Sequence, residues 1–76
     1  MIHKSECGGQ WGADCRLQIV PSKWAQLPYD SKRDIVAGIG KALNVLHSAA
    51  HTNFVDANSG KDLAVYLARS HTVDIE

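Results

Sequence analysis

Residues 31–50, SKRDIVAGIGKALNVLHSAA, repeat their apolar positions at a helical period, and a helix this long and this lopsided has to be covered by something. At an advance of about 100° per residue, Ile35, Val36, Ile39, Ala42, Leu43, Leu46, Ala49 and Ala50 fall within an arc of roughly 140°, the width of a core-facing stripe. Arg33, Lys41, Asn44 and Ser48 fall outside it, and His47 and His51 on its flank. Ser31 stands three residues before Asp34, the spacing of a capping box, so the pattern predicts a helix over residues 31–50.

The chain offers little to cover that stripe. It has 76 residues, and a domain of that size buries only about 60% of the surface its unfolded chain exposes. The spacing of the other elements therefore decides the fold. In DCRLQIV, Cys15, Leu17 and Ile19 alternate with Arg16 and Gln18, the period of a half-buried strand, and Pro21 stops it. SKWAQL, capped by Ser22, reads as one short turn ended by Pro28. HTNFV after the long helix reads as a return path or a short strand, and DANSG is turn chemistry. Ser59 stands three before Asp62, and Leu63, Tyr66, Leu67 and Ser70 share a helical face with Ala64 at its edge, which predicts a second, shorter helix to about residue 70. HTVDIE alternates again and reads as a closing strand. Residues 1–12, with three glycines and no period, read as a loose arm anchored by Trp11. The expectation is an α+β domain over residues 13–76, in which a long and then a short helix pack on a two- or three-stranded sheet. Gly38 and Gly40 are expected to allow close packing of helix on sheet. A sheet edge left open could take a partner strand or pair two copies into a homodimer.

Composition narrows the function classes. Apolar residues make up 45% and charged residues 21%, which fits a folded chain. No apolar run approaches the ~18 residues of a membrane span, the chain starts at Met without a leader, and the reading is a complete small cytoplasmic protein. Eight basic and eight acidic residues cancel, which argues against non-specific binding to nucleic acid. Cys7 and Cys15 allow a single bridge, fewer than a secreted mini-protein of this size uses, so reduced thiols are expected.

Three constellations could carry chemistry. His47 and His51, four apart on a helix, could join Cys7 and Cys15 in a zinc shell, but the cysteines are spaced more widely than paired zinc ligands usually are. Histidines at a helix C-terminus are also accounted for by the helix dipole. IGKALNVLHSAA resembles a repressor-type helix-turn-helix with Asn44 at the turn and His47, Ser48 and His51 toward the bases. Against this, Leu46 stands where a capping Ser or Thr is usual, and the stripe runs unbroken through Asn44. GQWGADC resembles the nucleophile loop of cysteine peptidases, but Arg16 and Leu17 continue a strand instead of opening a helix. CGG and GIG lack the Lys and Ser or Thr of a phosphate loop.

No catalytic set emerges, and no cofactor is expected. The reading is a small non-enzymatic protein-binding module. It would be an inhibitor or adaptor that occupies a surface of a larger host protein or ribonucleoprotein, of the sort phages and mobile elements direct at nucleic-acid machinery, including CRISPR effectors. Trp11 and Trp24, with the basic group Lys23, Lys32 and Arg33, are the expected contact residues, because aromatic and Arg side chains are enriched in interface anchors. The competing expectation is that both tryptophans close the small core.

Overall fold

A computed structural model describes residues 1–8 and 13–76. The elements are strand β1 (Ile2–Gly8), strand β2 (Ala13–Ile19), helix α1 (Pro21–Ala25), helix α2 (Tyr29–His47), strand β3 (Ala49–Asp56), strand β4 (Asp62–Leu67) and strand β5 (Thr72–Ile75). The fold is α+β. Its single sheet keeps chain order from β1 to β5, with antiparallel pairs throughout except β2 and β3. Those two are parallel because the chain leaves the end of β2 and returns to the start of β3 through α1 and α2, the crossover a parallel pair requires.

The alternation in β2 is realised as expected: Cys15, Leu17 and Ile19 are buried, and Asp14 and Arg16 are exposed. Thr52 and Phe54 of β3 and Ala64 and Tyr66 of β4 join the same layer, and α2 packs across β3, β4 and β5. Trp24, carried by α1, closes the core with its ring stacked at 6.4 Å from that of Phe54.

Helix α2 starts two residues earlier than the capping pattern predicts. Pro28 takes the N-cap position without a side-chain cap, and the Lys32 amide donates to the Pro28 carbonyl at 3.0 Å. It also ends earlier. Ser48 adopts the left-handed conformation (φ 56°) as C-cap, and Asn44 Nδ2 donates to the Ala49 carbonyl at 3.0 Å. Ala49 and Ala50 thus belong to β3. The buried side of α2 is centred on Val36 and Gly40, where the ring of Tyr66 lies against the glycine. Ala42 and Leu46 of the expected stripe are consequently left exposed.

Two expectations are corrected. The second helix does not form: its residues are β4 and the turn into β5. LAVYL is apolar at every position, so periodicity alone does not separate a helix from a strand, and the antiparallel ladder on β3 settles the matter. The Ser59 and Asp62 pattern marks a turn instead. The Asp56 carboxylate accepts from the Asn58 and Ser59 amides at 2.7 and 3.1 Å, and Ser59 Oγ accepts from the Lys61 amide at 3.2 Å. The second correction is the loose arm, of which Ile2–Gly8 are an edge strand paired to β2. The sheet therefore has five strands where two or three were expected, and one long helix covers it.

Candidate interaction surface

The pairing of β1 with β2 places Cys7 directly opposite Cys15, and the two are joined in a disulfide with Cα atoms 4.1 Å apart. This corrects the expectation of reduced thiols, since the strand that brings Cys7 to Cys15 was read as loose chain. It also removes both cysteines from the proposed zinc shell and Cys15 from the role of free nucleophile. The histidines do not meet either. His47 is on the last turn of α2, whereas His51 lies on β3 beyond the Ser48 cap, its Nδ1 3.1 Å from the Asp14 carboxylate. Among the described residues no three His, Cys, Asp or Glu side chains are grouped to hold a metal ion. The helix-turn-helix reading fails on the same segment: residues 39–47 are uninterrupted helix and residues 49–50 are strand.

Of the expected contact residues, Trp11 lies outside the described residues. Trp24 is 4% exposed, so it is a core side chain, as the competing expectation had it. Lys32 lies with its Nζ 5.4 Å from the Trp24 ring centroid, a cation–π contact that orders the lysine over the core. Lys23 and Arg33 are exposed. The structure thus leaves Lys23, Lys32 and Arg33 as the accessible part of the expected group, beside Tyr29, which is 58% exposed.

The sequence reading missed two other features. Val45 and Leu46 near the end of α2 are 81% and 73% exposed, although the stripe assigned Leu46 to the core. Lys32, Ile35, Ile39, Ala42 and Leu46 recur at intervals of three and four residues, so they form one ridge along the helix. Its isoleucines are half-buried, and its C-terminal end is open. The signal was legible as excess: the stripe holds more apolar residues than a small sheet can cover. The second feature is β1, exposed along all seven residues. On the sheet face opposite α2, one row crosses from β1 to β5 through Glu6, Arg16, Asn53, Val65 and Asp74. Lys4 Nζ pairs with Glu6 Oε1 at 2.7 Å along the edge strand.

An open notch of about 200 Å³ is lined by His3, Val20, Pro21, Ser22, Ala57 and Asn58. It is smaller than the ~300–1,000 Å³ of pockets that enclose small-molecule ligands. Among the described residues no helix is long and apolar enough to cross a membrane. No protein family, curated protein or solved structure matches the chain.

Proposed function

We propose that the chain is a non-enzymatic protein-binding module, an inhibitor or adaptor, that seats the ridge of α2 in an apolar groove of a larger host protein or ribonucleoprotein. The observation that carries this is the exposure of Leu46 and Val45 at the open end of a ridge with helix-in-groove spacing. Large apolar side chains exposed together on a regular element are what an interface core requires, whereas they contribute nothing to the fold beneath them. Lys32 at the other end of the ridge, with Lys23 and Arg33 nearby in sequence, suits an acidic rim on the partner.

A phage or mobile-element inhibitor of nucleic-acid machinery, CRISPR effectors among the targets, fits this size and mode of action. Such a target places the protein in the cytoplasm. The Cys7–Cys15 bridge weighs against that compartment, whose thiol pools reduce exposed disulfides, and favours an oxidising one.

The test is a tagged pull-down from host lysate with nuclease present, run side by side for the native chain, Leu46→Glu, and Lys32→Glu with Arg33→Glu. Circular dichroism confirms that each variant is folded. A stoichiometric partner that survives nuclease and is lost with Leu46→Glu supports the reading. Capture that vanishes with nuclease, or that is indifferent to both variants, overturns it.

A further inference from the structure

We propose that two copies of the chain associate through β1, paired antiparallel about Ser5, so that the sheet continues from one protomer into the other across a two-fold axis. Among the described residues no strand pairs with the outer edge of β1, which is exposed over its whole length. The edge is regular from Lys4 to Gly8, beyond an irregularity between Ile2 and Lys4, and an unblocked edge of that kind is a template for another strand.

The backbone selects which residues can sit at the centre. Cys7 and Cys15 are directly opposite, and their Cα separation of 4.1 Å is that of a non-hydrogen-bonded antiparallel pair, for which about 4.5 Å is typical. The N–H and C=O of Cys7 therefore point away from β2, and so do those of Ser5, two residues earlier in the regular part of the ladder. Ser5 facing Ser5 of a second copy puts these outward groups into a hydrogen-bonded pair, and the regular ladder on either side runs through Lys4 and Glu6 before it meets the irregularity between Ile2 and Lys4.

The side chains select the register. Lys4 and Glu6 lie on the sheet face away from α2, already paired to each other, with 58% and 59% of their side chains exposed. Centred on Ser5, the pairing sets each Lys4 opposite Glu6 of the other copy, so four charges alternate around the axis. Centred on Lys4, it would set lysine against lysine, and centred on Glu6, glutamate against glutamate, both of which are unfavourable directly across strands. The same charges that discourage indiscriminate edge pairing thus favour a self-complementary arrangement centred on Ser5, as a closed two-fold interface demands.

Sedimentation equilibrium on the purified chain, without any partner, tests this independently of the function proposed above. The native chain is expected at twice its 8.3 kDa mass. Lys4→Glu alone and Glu6→Lys alone should each give monomers, because four like charges then meet at the axis, and an equimolar mixture of the two should recover the dimer mass. Ser5→Pro provides a backbone control. It removes an N–H that faces outward, so it should leave the fold, read by circular dichroism, and abolish the dimer. A native chain that stays monomeric at millimolar concentration overturns the proposal. So does a dimer that persists in both charge variants or in Ser5→Pro.

Discussion

Gly40 of α2 lies so close under the side chain of Tyr66 of β4 that a Cβ at residue 40 would overlap the tyrosine's Cβ, Cγ and ring. The helix approaches the sheet at this point, and the ring of Tyr66, 2% exposed, fills the space a larger residue on α2 would take. Gly38, two residues earlier, has none of the described residues within 4 Å of where its Cβ would be. Both glycines were expected to serve packing, and only one does. Gly40→Ala is therefore expected to destabilise the fold by about 2–3 kcal/mol through overpacking. Gly38→Ala should stabilise it by about 0.5–1 kcal/mol, the gain in helix propensity. Urea midpoints of the two variants check both signs at once.

Thr52 is fully buried on β3, and among the described residues its Oγ1 has no hydrogen-bond partner. A buried hydroxyl without a partner carries a desolvation cost that the same shape in hydrocarbon avoids. Thr52→Val is expected to raise stability by about 1 kcal/mol, read as a higher melting temperature with unchanged circular dichroism. A loss of stability would show that the hydroxyl is bonded in solution.

The Cys7–Cys15 bridge closes a short loop across the first hairpin, with a sequence separation of 8. Chain-entropy arguments put the contribution of such a loop at about 2–3 kcal/mol. Reduction, or Cys7→Ser with Cys15→Ser, should lower the unfolding free energy read from denaturant titration by that amount. Amide exchange should rise first in β1, which among the described strands pairs with β2 alone.

The carboxyl of Glu6 is held below its usual value of 4.5, first by the hydrogen bond from Lys4 and then by the lysine's charge; desolvation opposes them, and the charge of Arg16 adds the smallest contribution. A depressed folded-state value means that the stabilisation is present above the ordinary carboxylate range and lost as pH falls through the folded value. NMR titration should find the Glu6 midpoint below 4.5, and Lys4→Ala should move it upward. Because the pair is exposed, the accompanying change in stability should be small and should shrink with salt.

Much of the fold was written locally. The alternation of Cys15, Leu17 and Ile19 marked β2, the helical period marked α2, and the short alternating tail marked β5. Two strands were not legible, for opposite reasons. β1 is exposed on both faces, so it carries no apolar alternation to read. β4 is apolar at every position from Leu63 to Leu67, and a pattern without contrast has no period. The expected contact residues divided in the same way. The basic side chains were bound to be accessible, whereas the place of Trp24 depended on whether α1 turned it toward Phe54.

What the sequence alone determined is the set of elements whose polar and apolar residues must separate between water and core: one long helix, its flanking strands and their turns. Tertiary structure decided how much of the helix stripe would find a cover. The five-stranded sheet meets α2 around Val36 and Gly40, so Leu46 is left in water although it shares the stripe with the core residues. It also decided that Cys7 and Cys15 would meet, since their distance is set by strand register and not by their spacing in the chain. Hydrophobic period reports which side of an element prefers burial, but the area available to bury it against is a property of the assembled sheet.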